Sequence, residues 1–265
     1  MSNEPKIVPS KVGRYYDVDG HIVPSASTIP SLGLPIQPYL HKWKIEKSGG
    51  DYEKYLNLQN SASRIGTAIH SLAERFILGE VVDVSSNDLN DYCDTSGVDF
   101  PGDAMVQIRN GFTSFTKWWN HNKPELIACE PLAWCSDLND DGNLIYPFCG
   151  RVDLVCKIDG DVWLLDIKTS KVVKDVLSYL VQLNIYRMLW NASCEPKVDR
   201  IGIIHAHKSF LKSEPPKSVL TTYEYSRDDQ VVWDTYRMFN RVNEGFRPDV
   251  MERKHNQPMQ FAREV

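Results

Sequence analysis

"GRVDLVCKIDGDVWLLDIKTSK", residues 150–171, decides the fold of this 265-residue chain. Two apolar runs flank Asp159-Gly160-Asp161, which predicts a β-hairpin closed by a tight turn. Yet the first run carries Asp153, and the second closes on Asp166-Ile167-Lys168. Side chains two apart on a strand point the same way, so Asp166 and Lys168 share one face and Ile167 takes the other. Asp153 reaches the same edge of the sheet if the hairpin register permits. Two carboxylates at one point repel, and each resists ionisation unless a cation joins them. Oxygen ligands of this kind suit Mg²⁺ or Mn²⁺. A lysine beside such a metal can orient or help deprotonate a water, and can stabilise negative charge developing on phosphate. Taken alone, the string also reads as a surface salt bridge between Asp166 and Lys168, with Asp153 paired to Arg151 or Lys157.

The flanking sequence predicts an α/β sandwich. Residues 1–35 read as loop and short strands punctuated by Pro24, Pro30 and Pro35. Helical apolar spacing runs over 61–78 and stops at Gly79, a plausible C-terminal cap. Residues 83–103 are rich in Asp, Asn and Ser and read as a surface loop. Asp103 can cap a helix over about 104–121, which stops before Lys123-Pro124. Then the period changes. Strands are expected at 126–135, 150–158 and 162–170, an amphipathic helix at about 174–190, a fourth strand at 200–208 and a last helix from Asp228 to Asn243. Helices alternating with strands in this order indicate a layered α/β domain. DLNDDG, residues 137–142, imitates the opening of a calcium loop. Its twelfth position is Phe148, which cannot supply a carboxylate, so a hairpin turn is the better reading.

Two helices add polar side chains at spacing four, hence on one face. In GTAIHSLAERF these are Gly66, His70 and Glu74; in YLVQLNIY they are Gln182 and Tyr186. Gly66 removes bulk one turn before His70, where a backbone or substrate can approach. A neutral imidazole would bring a nitrogen ligand to an oxygen-rich site. Each residue also has a plain packing role available to it.

In chain order, G-x₃-H, GxxD, DxK and QxxxY resemble the RecB-type branch of the PD-(D/E)xK nuclease superfamily. The matching residues are Gly66 and His70, Gly150 and Asp153, Asp166 and Lys168, and Gln182 and Tyr186. The resemblance implies a restriction-endonuclease-like core, with a central mixed sheet flanked by helices, over 61–246. Residues 1–60 would be an N-terminal strand and helix extension contributing to DNA binding, and 247–265 a polar tail. It further implies His70, Asp153, Asp166 and the Ile167 carbonyl as ligands of Mg²⁺ or Mn²⁺. Lys168 would be the catalytic lysine, with Asp153 and Asp166 beside it, and Gln182 and Tyr186 would line the DNA-binding site. Glu130 corresponds loosely to an acidic position of some members, and Glu74 ranks with it. PSASTIPSLGLPIQPYLHKWK adds a similarity to mitochondrial genome maintenance exonucleases and their phage relatives. There Tyr39, Trp43 and Lys44 could stack on and contact a strand, or could pack as an ordinary amphipathic helix.

Cysteines and charge narrow the class. Some branch members hold an iron–sulfur cluster with one cysteine before the His and three near the C-terminus. Here the six cysteines fall between Cys93 and Cys194 and form no CxxC pair, so small thiols without a cluster are expected. No GxxxxGK[ST] string signals a bound nucleotide. The net charge of −5 hides a gradient, because residues 81–161 hold 14 acidic and 5 basic side chains. The remainder is therefore net positive, which leaves room for a basic groove. No apolar run is long enough to span a bilayer, and the N-terminus lacks a signal-like apolar core, which predicts a cytoplasmic protein. The reading is a metal-dependent DNA exonuclease acting on free ends of single strands in replication, recombination or repair. A single-strand-binding or recombination protein is the partner such an activity suggests. A double-strand exonuclease, an endonuclease and a non-catalytic DNA-end-binding module are the competing readings.

Overall fold

A computed structural model describes residues 3–35, 45–170, 173, 176–208 and 220–243. Its centre is the predicted hairpin. Strands β7 (Leu154–Ile158) and β8 (Asp161–Lys168) pair antiparallel, with Leu154 opposite Leu165 and Ile158 opposite Asp161. Asp159 and Gly160 both have positive φ, 51° and 95°, the tight two-residue turn that matches strand twist. Parallel to β8 lies β9 (Arg200–His205), whose outer neighbour is β10 (Thr222–Tyr225). On the other side, β4 (Glu125–Cys129) closes the five-stranded mixed sheet in the order β10-β9-β8-β7-β4.

Strand alternation divides the core into two. Leu154, Cys156, Leu165, Ile167 and Ile204 face helices α2 (Tyr52–Ile77) and α3 (Ala104–Asn122). Val155, Val162, Leu164, Ile201 and Ile203 face α4 (Leu177–Ser193) and α5 (Asp229–Asn243). Each face is apolar because each is covered by helices, the requirement of a buried sheet. A short helix α1 (Thr28–Gly33) packs against α5, and Gly33 admits Phe239 there. An N-terminal sheet of β1 (Lys6–Val8), β2 (Tyr15–Val18) and β3 (His21–Pro24) is stitched to the domain by the Ser25 to Cys149 bridge.

Several elements differ from the sequence reading: α1 falls in a stretch read as loop and short strands, β10 is not among the expected strands, and three further differences have local causes. Helix α2 starts nine residues before 61, because the Asp51 carboxylate accepts from the Lys54 N–H and fixes the N-terminus there. Its other end lies where expected: Gly79 at φ 83° donates to Phe76, and Glu80 donates to Arg75. Asp103 stands at the N-terminus of α3, but its side chain accepts from Gln107 Nε2 rather than capping a backbone N–H. The strands expected over 126–135 and 150–158 are each broken. Glu130 adopts a left-handed φ of 52° and is followed by Pro131, so the chain leaves β4 and resumes as β5 (Leu132–Ala133). β5 pairs with β6 (Gly150–Arg151) in a separate two-stranded sheet. The 137–142 segment is a turn: Leu138 bridges Leu144, Gly142 sits at φ 75°, and Phe148 is buried in the core.

Candidate active site

The break between β6 and β7 places the chemistry. β7 begins pairing at Leu154, so β8 runs beyond it. Ile167, though still paired to Ile204 of β9, has no strand partner on the β7 side among the described residues. A carboxylate takes that place, as the Ile167 N–H donates to Asp153 Oδ2 at 2.7 Å. The N–H and C=O of one strand residue project to the same side, which turns the Ile167 carbonyl toward Asp153 as well. Opposite, the Glu130 N–H donates to the Asp153 carbonyl at 3.0 Å, bringing the left-handed corner against the same residue. His70 of α2 completes the approach, with Nδ1 3.5 Å from Asp153 Oδ2.

Ligand-capable atoms of His70, Glu130 and Asp153 all lie within 4.8 Å of one another. Burial pushes the Glu130 carboxyl up to about 8, with Asp153 and Glu74 adding repulsion and Arg151 opposing it. A carboxylate so disfavoured needs a cation. Asp166 stands behind this group at 2% exposure, with Oδ2 2.7 Å from Lys168 Nζ. Burial also drives Asp166 upward; Lys168 pulls it back without cancelling the effect, and Asp153 adds to it. Burial opposes the Lys168 charge too, but Asp166 and Asp153 outweigh it and hold the ammonium above its ordinary value. Two carboxylates, a buried third and an imidazole nitrogen fit a divalent metal.

Helix α4 supplies the support. Lys168 Nζ donates to Gln182 Oε1 at 3.1 Å, while Gln182 Nε2 donates to Asp166 Oδ1 at 3.2 Å and to the Tyr186 hydroxyl at 3.0 Å. Burial holds the Tyr186 phenol well above its ordinary value, so it stays protonated. The Lys168 ammonium also lies 4.9 Å from the centre of the Tyr179 ring, a contact the spacing did not single out. Both glycines of the pattern have geometric work. A Cβ on Gly66 would stand 3.3 Å from Thr169 Oγ1, and one on Gly150 would stand 2.8 Å from Tyr186 Cε1. Gly66, His70, Glu130, Asp153, Asp166, Lys168, Gln182 and Tyr186 line one cavity of about 520 Å³, with Glu74, Arg14 and Arg151 also on its wall.

The structure thus brings together His70, Glu74, Glu130, Asp153, Asp166, Lys168, Gln182 and Tyr186. Glu130 stands nearer His70 and Asp153 than its loose sequence match suggested, and Asp166 engages Lys168 and Gln182. Tyr39, Trp43 and Lys44 lie outside the described residues. The six cysteines are free thiols, with Cys135, Cys149 and Cys156 buried.

A model of the PD-(D/E)XK nuclease superfamily matches residues 41–256. The chain belongs to that superfamily. No protein with a curated description matches it. A solved structure titled "Crystal structure of SSO0001" aligns at 15% identity, over 66% of this chain and 85% of that one. Its TM-score of 0.31 lends no weight to the fold. Membership of the PD-(D/E)XK superfamily makes this a metal-dependent nuclease fold, with DNA as the implied substrate. Among the described residues, no helix is long and apolar enough to cross a membrane.

Proposed function

We propose that this protein is a RecB-type DNA exonuclease that uses Mg²⁺ or Mn²⁺ to hydrolyse single strands from a free end. The observation that carries the reading is the joint placement of Lys168, Asp166, Asp153, Glu130 and His70 in one cavity. His70, Glu130 and Asp153 would hold the cation, with Asp166 and the Ile167 carbonyl on its inner side. A bound divalent ion supplies Lewis-acid polarisation of phosphate and a more acidic water. Lys168, kept charged by Asp166, is placed to stabilise negative charge on the phosphate rather than to abstract a proton. Gln182 fixes Asp166 and Lys168 relative to each other, and Tyr186 orients Gln182. The working partition starts the nuclease core at Tyr52, because a boundary at 60/61 would cut α2, and runs it to 246, with the residues before it as an extension contributing to DNA binding and 247–265 as a tail. The setting we infer is the cytoplasm, in replication, recombination or repair, beside a single-strand-binding or recombination protein.

The test is metal dependence on an end-labelled linear single strand. Degradation should need Mg²⁺ or Mn²⁺, stop with EDTA, and vanish in Asp166→Asn while the variant keeps its circular dichroism spectrum. Undiminished cleavage in EDTA would sink the ligand assignment.

A further inference from the structure

The same cavity is lined in part by residues that lie ahead of 41–256, the span of the superfamily match. Arg14 and Ser27 stand on its wall, as do Lys168 and Gln182. The Arg14 backbone is clamped: its N–H donates to Thr28 Oγ1 at 2.8 Å, and its carbonyl accepts from that hydroxyl at 3.1 Å and from the Ser25 N–H at 2.8 Å. Thr28 is buried, and its hydroxyl also meets Ser25 Oγ at 2.8 Å. Gly13, at φ 75°, has no room for a Cβ against Thr28, so the turn into Arg14 is fixed from both sides. The guanidinium, by contrast, has no ion-pair partner among the described residues, and the side chain is exposed. A cation held in place by its backbone and left without a counter-charge, beside an acidic cavity that must admit phosphate, is suited to a phosphate.

Resting on the nuclease reading, we infer that Arg14 is a phosphate-binding residue that takes a backbone phosphate of the DNA strand entering the cavity, with Thr28 as its positioning residue. Ser27, whose hydroxyl reaches Ser25 at 3.1 Å, stands beside it as a neutral donor. Repulsion between the strand and the acidic residues of the cavity favours such a contact on its wall. Lys168 is deeper and already engaged with Asp166.

The experiment is the salt dependence of binding, by fluorescence anisotropy, of a labelled single-stranded oligonucleotide to the full chain carrying Asp166→Asn, with Mg²⁺ present. Adding Arg14→Gln should weaken binding and reduce the slope of log K against log salt by about 0.7, one single-strand phosphate contact. Lys157→Gln, at the turn end of β7 and away from the cavity, should leave the slope unchanged. Thr28→Val should shift the slope in the same direction as Arg14→Gln and add little to it in the double variant. Thr28→Ser, which keeps the hydroxyl, should restore it. Should Thr28→Val fail to fold, the exposed Arg14→Gln still decides. An unchanged slope in Arg14→Gln, with the native chain degrading DNA in parallel, overturns the phosphate contact and leaves the nuclease reading intact. A native chain that neither binds nor degrades DNA overturns the nuclease reading, and the contact with it.

Discussion

Glu130 sits in a left-handed corner where burial, with repulsion from Asp153 and Glu74 added, pushes its carboxyl up to about 8. In the unfolded chain it titrates near the ordinary glutamate value, so folding favours its protonated form. That contribution is complete below the unfolded value and is lost as pH rises through the folded one. The metal-free protein should therefore lose thermal stability between about pH 5 and about pH 9, and Glu130→Gln should flatten the decline. Added Mg²⁺ should restore the native chain at the alkaline end more than it restores the variant. Differential scanning calorimetry across that range is the check, and parallel pH profiles would remove Glu130 from the cation group. Lys168 makes a separate prediction. Lys168→Ala should leave DNA binding largely in place and cut single-turnover cleavage by at least about a hundredfold, the scale of losing one transition-state charge partner. A loss under about tenfold would return Lys168 to a salt-bridge role. Asp166 and Lys168 were legible because strand alternation alone puts carboxylate and ammonium on one face, whereas Asp153 stands in the break between β6 and β7, which periodicity does not mark. Glu130 was legible only through a loose family correspondence, since its position depends on a positive φ that glutamate seldom adopts and no local pattern announces. Arg14 was invisible for another reason: only tertiary contact with Thr28 and Ser25 carries it to the cavity.

Elements meet at Gly150, where β6, α4 and the chain ahead of α1 converge. A methyl group there would stand 2.8 Å from Tyr186 Cε1 and 3.0 Å from Ala26 Cβ. Neither neighbour can retreat easily, because Ala26 is tied to Cys149 by a 2.8 Å backbone bond and Tyr186 is buried in the core. Gly150→Ala should destabilise the fold by about 1–3 kcal/mol, the usual scale of overpacking. It should also lower turnover, because a displaced Tyr186 withdraws the partner that orients Gln182. Denaturant unfolding together with steady-state rates tests both halves, and an unaltered turnover would separate Tyr186 from the catalytic group. The hairpin, both central helices and the β9 strand were readable because periodicity reports which face is buried. Periodicity says less about where an element begins or bends. The Asp51 cap extends α2 through residues whose apolar spacing is irregular, and the Glu130-Pro131 corner splits a run that reads as continuous strand. β10 was missed because four alternating residues at a sheet edge give too short a signal.

At the scale of the whole molecule, the acidic group lies at the bottom of a cavity walled by α2, by the N-terminal Arg14–Ser27 segment and by α4. Its volume is about 520 Å³, in the range of pockets that receive one small group at a time. A single strand can thread its backbone past such a wall and unstack its bases, whereas a duplex is wide and stiff. If a terminus must be inserted before phosphate reaches Lys168, linear single strands should be degraded and closed circular single strands of the same sequence should survive. Blunt duplex should be cut more slowly, and rising salt should weaken binding to every substrate as phosphate contacts are screened. The assay compares 5′-labelled, 3′-labelled and circular substrates with Mg²⁺ present. The label released first as a short product gives the polarity, which neither residue spacing nor cavity shape encodes. Rapid cutting of the circle would leave the metal chemistry standing and discard the need for an end. Faster digestion of duplex would instead mean that the wall opens, and would favour a double-strand exonuclease on the same residues.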